Sequence, residues 1–267
     1  MCGRFVSASP PDELARYFGA EEPDHELEPS FNVAPTNEVY VVRAADGERR
    51  LASLRWGLVP FWAKDLKIGS RMINARSETV AEKPAFRKAY ERRRCLIPAD
   101  GFYEWAKVEG RKTKQPYFIH RPDGEPVVFA GLWERWRPRL EDGKTIDESA
   151  DPIETCTILT TTPNGPMAEI HDRMPVLLAP AAWDHWLSDT EDVAALHELL
   201  VPAPEGLLTL RPVTPMVNSV RNNGPELLDL ETDPLRPAED RAAENRAAEN
   251  RAAADVQVAA DGDAADE

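Results

Sequence analysis

Short apolar runs rich in β-branched and aromatic residues recur along the chain, and proline or glycine separates most of them. Runs of this length and composition predict β-strands, and many short strands divided by turns are typical of an antiparallel sheet or barrel. The predicted strands cover residues 39–42, 51–58, 95–97, 102–105, 117–120, 127–133, 155–161, 176–178 and 207–213.

Helical patterns are fewer, and they cover residues 11–18, 77–81, 84–90, 181–187 and 192–200. Pro11 followed by Asp12 and Glu13 suits a helix start, because proline is tolerated in the first turn and acids favour its positive end. The polar stretch 137–152 contains Asp-Gly and predicts a long loop between two strands. The pattern as a whole predicts an α+β fold with an antiparallel sheet or barrel core and flanking helices.

The C-terminal stretch, residues 231–267, differs from the rest in composition. It contains the low-complexity repeat RAAENRAAENRAA and ends in an acidic run. Such a segment cannot bury enough apolar surface to fold alone, so it predicts a frayed helix or a disordered tail. Residues 1–230 are therefore expected to form one domain.

The chain is acidic, with 47 acidic and 32 basic residues and a net charge of −15. Residues 231–267 hold 11 acids and 4 bases, so the remaining 36 acids and 28 bases leave the body acidic as well. This excess argues against a nucleic-acid partner, although basic residues gather locally in residues 71–94 and 111–114. Abundant acids and few lysines are also typical of proteins adapted to a salty cytoplasm, a hypothesis that an unfolding midpoint rising with potassium chloride would support.

Three cysteines, Cys2, Cys95 and Cys156, cannot all pair, and no cleavable signal peptide or membrane-length apolar run is present. We therefore expect a soluble protein in the reducing cytoplasm. The cysteines and histidines lack the spacing of a zinc site, so neither a metal nor a cofactor is expected.

Cys2 follows the initiator methionine, and removal of Met1 would place an α-amine and a thiol on the same N-terminal residue. An α-amine with a pKa of ~7.7 to 8.0 is substantially unprotonated at neutral pH and can form a Schiff base with an aldehyde. The thiol can then add to the imine carbon and close a five-membered thiazolidine. The alternative is that Cys2 is an ordinary small buried residue.

Two further segments combine polar groups with a rigid backbone. Asn32 through Thr36 includes Pro35, which could present a rigid wedge or form a surface turn before a strand. In the strand-like run 71–78, Asn74 could hold an amine with its amide oxygen, and Arg76 could bind a phosphate. The alternatives are a helix cap for Asn74 and a surface ion pair for Arg76.

Two segments carry candidate proton-transfer groups. Glu104 stands between aromatic residues in a predicted strand, on the same face as Phe102, where desolvation would favour a general acid and base near neutral pH. His171, followed by Asp172 and Arg173, could shuttle protons at physiological pH. The alternatives are an outward-facing Glu104 and a purely structural His171.

Four motifs occur in this order: MCGRF, INARSE, ADGFYEW and IHDRMP. Together with NNGPE at residues 222–226 they closely resemble the SRAP family, the SOS response-associated peptidases or abasic-site processing proteins. The resemblance covers residues 2 to about 230. It implies that Met1 is removed autocatalytically and that Cys2 forms a thiazolidine crosslink with the open-chain aldehyde of an abasic site in single-stranded DNA.

The resemblance also assigns roles to individual residues. Asn74 would orient the α-amine or the sugar, Glu104 would move protons, and His171 would assist ring opening, strand scission by β-elimination or reversal of the crosslink. Either Glu104 or His171 could act as the base in methionine removal. Trp62 would stack on a base, while Pro35 and Thr36 would form a wedge that favours single strands and single/double-strand junctions. The residues implied to contact DNA otherwise are Arg4, Asn32, Arg76, Thr160 and Arg173.

Two other functions remain open at this point. A peptidase acting on other proteins could use Cys2 as nucleophile and His171 as base. A noncovalent reader of modified bases would leave Cys2 dispensable. We expect a monomer in each case.

Overall fold

A closed ring of five strands forms the centre of the computed structural model, which describes residues 2–45, 47–142, 145–190 and 192–235. The strands are β1 (Phe5–Ser7), β2 (Ala20–Glu21), β3 (Ser30–Val33), β4 (Glu38–Ala45), β5 (Glu48–Trp56), β6 (Asn74–Arg76), β7 (Arg94–Ala99), β8 (Gly101–Ala106), β9 (Gln115–His120), β10 (Val127–Trp136), β11 (Ile153–Thr161), β12 (Met174–Pro175) and β13 (Thr209–Pro212). The α-helices are α1 (Pro11–Phe18), α2 (Arg87–Arg92), α3 (Gly165–Ala168), α4 (Pro180–Leu187) and α5 (Val193–Glu198). Short 3₁₀ helices span Leu66–Arg71, Ser77–Thr79, Pro215–Asn218 and Pro225–Leu228.

The barrel runs in the order β5, β4, β7, β10, β11, and a parallel pairing of β11 with β5 closes it. The other four contacts of the ring are antiparallel. Val41, Trp56, Ile97 and Cys156 come from different strands of the ring and pack in one buried cluster. β6 pairs in parallel with β11 beside this closure, which brings Asn74 opposite Ile158.

A second sheet, in the order β13, β9, β8, β1, β3, packs against the barrel. Edge-to-face aromatic contacts join the two sheets: the ring centroids of Phe5 and Trp56 lie 5.0 Å apart, and those of Phe102 and Phe129 lie 5.9 Å apart. Since β1 is at this junction, Cys2 and Phe5 are buried between the sheet and the barrel.

The helices cover the outside of the barrel and are fixed by specific contacts. Phe18 of α1 packs on Trp183 of α4 with ring centroids 4.7 Å apart. Arg94 donates hydrogen bonds to the carbonyls of Trp186 in the last turn of α4 and of Ser188 just after it. It also donates to the carbonyls of Tyr90 and Glu91 in α2. One buried guanidinium thus satisfies the C-terminal carbonyls of two helices.

The predicted α+β class with a β-barrel core is confirmed, and helix 11–18 is observed at the predicted bounds. The loop predicted over residues 137–152 does connect β10 to β11, and its described part includes a bridge between Arg139 and Ile146. The prediction of a helix over residues 77–81 was wrong, since only a 3₁₀ turn forms there. The strand predicted at 176–178 lies at 174–175, although Val176 and Leu178 still donate to strand carbonyls.

Residues 236–267, which make up most of the predicted tail, lie outside the described residues. Within the described part of the chain, no helix combines the length and apolar character needed to cross a membrane.

Candidate functional site

Cys2 lies immediately before β1 and is completely buried in the cluster that joins the sheet to the barrel. Burial and the negative charge of Glu104 both raise the pKa of the Cys2 thiol far above its ordinary value. The thiol is therefore neutral at physiological pH, and a nearby base must take its proton before it can act as a nucleophile.

Asn74 holds the backbone of Cys2 in place. Its Nδ2 donates a hydrogen bond of 2.8 Å to the Cys2 carbonyl oxygen. The Oδ1 of the same side chain is buried and has no hydrogen-bond partner among the described residues. A buried amide oxygen without a donor is costly, so this atom is ready to accept a hydrogen bond from an incoming group.

Glu104 projects from β8 into the same region. The prediction that Glu104 lies on the same side of the strand as Phe102 is confirmed, because the neighbouring Tyr103 and Trp105 pack in a different cluster. Both Glu104 and Phe102 are buried. Its antiparallel partner on β9 is Tyr117, whose side chain therefore lies on the same face. The strand thus places a carboxyl group within electrostatic range of the Cys2 thiol.

His171 lies in the turn that follows α3. Its Nδ1 accepts a 3.0 Å hydrogen bond from the backbone N–H of Arg173 but is also 2.8 Å from Asp172 Oδ1, a contact that would require a proton on Nδ1. The Asp172 side chain is 87% exposed, whereas the backbone N–H is fixed by the turn. We therefore assign the ring proton to Nε2, so His171 can donate a hydrogen bond from that atom.

Arg173, Thr160 and Arg76 gather where β6 pairs with β11. Arg173 binds Glu78 through two hydrogen bonds of 2.5 and 2.9 Å and also donates to the Thr160 carbonyl at 2.6 Å. The Arg173 guanidinium lowers the pKa of Glu78. Arg76 is opposite Thr160 in the strand pairing and is exposed, so it is the arginine of this group that is open to a phosphate.

Arg4 and Asn32 are already engaged by protein groups. Arg4 Nη1 donates to Asn32 Oδ1 at 2.6 Å and to the Val217 carbonyl at 3.0 Å. The Asn32 amide is buried and donates to the carbonyls of Ser219 and Asn222. These two residues thus attach segment 217–222 to β3 and to the residue that precedes β1. Burial lowers the pKa of Arg4.

Pro35 and Thr36 occupy the corners of a tight turn between β3 and β4. The Asn37 N–H donates to the Ala34 carbonyl at 3.1 Å, and Thr36 has a φ of 78°. This is the geometry of a type II turn, in which the third position normally requires glycine or asparagine. The Thr36 N–H donates to the Trp56 carbonyl and its own carbonyl accepts from Arg55, so the strained conformation is held from both sides.

Trp62 lies on a separate exposed loop next to Phe61, and each of these side chains is 42% exposed. The Lys88 ammonium is 4.7 Å from the centroid of the Phe61 ring, and Arg139 donates to the Trp62 carbonyl. Exposed aromatic rings with cations nearby are suited to stacking on bases.

Sequence reasoning missed two participants. Glu78 was read only as part of a motif, yet it is the ion-pair partner of Arg173. Trp105 donates from Nε1 to Asn218 Oδ1 at 2.6 Å and lies under the Arg4 guanidinium, 5.8 Å from the ring centroid. The strand alternation in GFYEW indicated that Trp105 faces away from Glu104, but nothing in the pattern indicated its partners.

The described residues include no group of three or more His, Cys, Asp or Glu side chains able to hold a metal ion. Three polar groups gather at Cys2: its own buried thiol, the unpartnered amide oxygen of Asn74 and the buried carboxyl of Glu104.

Comparison with known proteins identifies relatives along most of the chain. The abasic site processing protein YoqW of Bacillus subtilis is 43% identical over 232 residues, which cover 86% of this chain and 99% of that protein. The abasic site processing protein YedK of Escherichia coli is 33% identical and covers 85% of this chain and 99% of its own. The abasic site processing protein HMCES of Pongo abelii is 32% identical and covers 85% of this chain and 75% of its own.

Solved structures share the fold. A crystal structure of a Bacteroides thetaiotaomicron protein superposes with a TM-score of 0.75 at 23% identity, covering 86% of this chain and 100% of that one. A Bordetella bronchiseptica protein superposes with a TM-score of 0.67 at 28% identity, covering 80% of this chain and 100% of that one.

The family model described as SOS response associated peptidase (SRAP) matches residues 1–220, which include every candidate site residue discussed above. The family match and the relatives above 30% identity agree with the resemblance carried by the four motifs. The chain belongs to the SRAP family.

Proposed function

We propose that this protein processes abasic sites in DNA by a covalent reaction of Cys2. The observation that carries the proposal is a buried cysteine at the second residue, whose backbone carbonyl accepts a hydrogen bond from Asn74 and whose thiol is affected by the charge of Glu104. The relatives YoqW and YedK are named abasic site processing proteins, which supports an abasic site as the substrate. Removal of Met1 is required first, because only then does Cys2 carry a free α-amine.

The reaction has two bond-forming steps. The α-amine attacks the open-chain aldehyde of the abasic deoxyribose, and loss of water gives an imine. The Cys2 sulfur then bonds to the imine carbon, its proton moves to the nitrogen, and a thiazolidine ring closes. Both steps move protons, and the pKa of the buried thiol is too high for spontaneous ionisation at neutral pH.

The neighbouring side chains fit these proton transfers. Glu104 is a buried carboxyl whose charge acts on the Cys2 thiol. It can take up and return the protons of imine formation and ring closure. The unpartnered Asn74 Oδ1 can accept a hydrogen bond from the amine and hold it in an attacking orientation. His171 can donate a hydrogen bond from Nε2 to the sugar oxygen during ring opening or serve in β-elimination of the 3′ phosphate.

Removal of Met1 needs a nucleophile and a base at the same place. The Cys2 thiol is adjacent to the Met1 carbonyl along the chain, and Glu104 is a carboxyl whose charge acts on that thiol. We infer that the same carboxyl prepares the site and later serves the crosslinking reaction.

We further propose how DNA lies on this site. Arg76 is open to a phosphate, while Arg173 and Arg4 would bind phosphates by exchanging Glu78 and the Val217 carbonyl for them. Thr160 would lie beside the phosphate that Arg173 binds. Asn32 would hold segment 217–222 at the edge of the DNA-binding surface. Trp62 would stack on an unpaired base. The rigid turn at Pro35 and Thr36 would separate paired strands, which favours single-stranded DNA and single/double-strand junctions.

Intact mass spectrometry tests the proposal directly. Wild-type protein is incubated with a single-stranded oligonucleotide containing one abasic site. We expect a chain without Met1 that gains the oligonucleotide mass less one water. Cys2→Ala should form no stable adduct, while Asn74→Ala and Glu104→Gln should form it roughly 10- to 100-fold more slowly, since misplacement and loss of a proton-transfer group have effects of this size.

Cys156→Ala is the matched control, because it removes a buried thiol that does not lie at the chain start. It should form the adduct as the wild type does. Retention of Met1 with no adduct in the wild type would reject the proposal and favour a peptidase acting on other proteins. Full lesion binding by Cys2→Ser would favour a noncovalent reader.

A further inference from the structure

The hairpin that joins β8 to β9 concentrates positive charge in an acidic protein. Residues 107–114 contain Lys107, Arg111, Lys112 and Lys114 against a single acid, Glu109, although the whole chain has a net charge of −15. Apart from the half-buried Val108, these residues are exposed, and together they line a shallow cavity of about 590 Å³.

The hairpin cations also differ from several arginines elsewhere in their lack of acidic partners. Arg43, Arg93 and Arg173 each form an ion pair with a glutamate. In the described parts of the chain, none of the four hairpin cations forms an ion pair, and Arg111 makes only a long 3.4 Å hydrogen bond to Gln115. An acidic chain that leaves four neighbouring cations unpaired keeps them available to an external anion.

The position of the hairpin follows from the strand that bears Glu104. β8 continues from Glu104 through Ala106 directly into Lys107, so at ~3.3 Å per residue the hairpin cations lie about 10 to 20 Å beyond the site. At the ~3.4 Å spacing of successive nucleotides in a stacked strand, this corresponds to about three to six nucleotides. Trp105, between the two, holds Arg4 and Asn218 on the other face of the strand.

We propose that the 107–114 hairpin binds the phosphodiester backbone of the DNA strand that flanks the abasic nucleotide. This inference rests on the proposed function and extends it to nucleotides that never approach Cys2. The contact is electrostatic and independent of base sequence, and it gives an acidic protein a local means of holding a polyanion.

The first test measures binding to single-stranded DNA that carries a stable abasic analogue without an aldehyde. A triple variant, Lys107→Gln, Lys112→Gln and Lys114→Gln, is compared with a control that neutralises three cations already paired with exposed acids, Arg16→Gln, Arg50→Gln and Arg121→Gln. For a long oligonucleotide, we expect the hairpin variant to bind roughly tenfold or more weakly and its slope of log K against log salt to fall by about 2. The control should change neither.

A second test leaves the protein unchanged. Methylphosphonate linkages, which carry no charge, replace the phosphates about three to six nucleotides from the analogue on one side or the other. Wild-type affinity should fall for at least one of the two flanks, and the hairpin variant should be insensitive to both. Equal binding of modified and natural DNA by the wild type, or an unchanged salt slope in the hairpin variant, would overturn the proposal.

Crosslinking to a very short abasic oligonucleotide separates this inference from the function on which it rests. The hairpin variant should form that adduct at the wild-type rate, because the short strand does not reach the hairpin. Absence of the adduct in the wild type would reject the covalent function, whereas a slower reaction in the hairpin variant alone would place the hairpin inside the reaction site and contradict a flanking role.

Discussion

Cys2 combines two properties that rarely coincide, since it is the second residue of the chain and is also fully buried. Burial keeps the thiol neutral, which protects it from alkylation and oxidation until a substrate enters. The same burial makes the reaction depend on a neighbouring proton acceptor. Glu104 serves this role in our proposal and at the same time raises the pKa of the thiol through its negative charge.

Glu104→Gln should therefore change the pH dependence of crosslinking as well as its rate. The negative charge of Glu104 favours the neutral thiol, so its removal lowers the pKa of Cys2. The alkaline rise of the crosslinking rate should move to lower pH in the variant, while the maximal rate falls because a proton-transfer group is lost. The measurement is the rate of adduct formation at a series of pH values.

Glu13→Gln provides the control for this experiment, because it removes the same charge from an exposed position on α1. Its pH profile should coincide with that of the wild type. A Glu104→Gln profile that stays in place or moves to higher pH would contradict the electrostatic coupling.

Thr36 is the clearest case of local strain in an element of the fold. A β-branched residue at a φ of 78° is disfavoured, and the cost of such a conformation is on the order of 1–3 kcal/mol. Thr36→Gly should raise the free energy of unfolding by about 1 kcal/mol, part of the relief being offset by the greater freedom of glycine in the unfolded chain. Urea unfolding measures this change.

Thr113→Gly is the control, because Thr113 is exposed and its φ is not positive. This substitution should be neutral or destabilising in the same assay. If Thr36→Gly lost stability, the turn would not be strained. If the wedge proposal holds, the stabilised Thr36→Gly variant should also lose part of its preference for junctions over fully single-stranded DNA.

Arg94 illustrates why a basic cluster in the sequence is not an interface. Arg92, Arg93 and Arg94 are consecutive, but Arg93 binds the buried Glu134 and Arg94 caps α2 and α4. Arg94→Lys cannot reproduce four hydrogen bonds from one planar group, so it should lower the free energy of unfolding by about 3 kcal/mol. Denaturant unfolding would show this loss, and crosslinking per folded molecule should stay unchanged.

Arg87→Lys changes an exposed position on α2, one of the two helices that Arg94 caps. Its free energy of unfolding is expected to stay within about 0.5 kcal/mol of the wild type. Loss of DNA crosslinking in folded Arg94→Lys protein would instead indicate that the cluster contacts DNA.

The elements of the barrel could be predicted because their alternation of apolar residues is local. Helix 11–18 and the strands at 39–42, 95–97 and 127–133 carry their own signals of period and composition. β1 has only three residues, and its pairing with β8 joins positions about a hundred residues apart, so no local pattern indicates it. The closure of β11 on β5 is equally nonlocal.

The residues of the candidate site were likewise predictable only where the signal is local. Strand alternation predicted that Glu104 lies on the side of Phe102 but left its burial open. The hydrogen bond from Asn74 to Cys2 spans 72 residues and depends on the tertiary fold. Only the family resemblance pointed to both residues together. The engagement of Arg4 by Asn32 and Val217 was not indicated by any pattern, because it depends on where the C-terminal segment packs.

At the scale of the whole molecule, negative charge dominates, and DNA binding has to rely on local concentrations of cations such as the 107–114 hairpin. Noncovalent affinity should therefore be modest and should weaken steeply with salt. A thiazolidine, once formed, does not depend on counterion release. We expect DNA binding by Cys2→Ala to decline sharply between low and high potassium chloride, while the lifetime of the wild-type crosslink stays constant.

Gel separation of preformed crosslinks over time, together with anisotropy measurements of binding, would make this comparison. Equal sensitivity of binding and crosslink lifetime to salt would contradict it.

The attachment of segment 217–222 by Arg4 and Asn32 has a consequence for biosynthesis. These hydrogen bonds join residues separated by 213 and 190 positions, so they form only after nearly the whole domain has left the ribosome. Cys2 is translated second, yet its buried cluster includes Ala203, so its surroundings are completed late. We therefore expect a nascent chain to keep Met1. The free α-amine of Cys2, which captures the aldehyde, should form only after the protein has finished folding.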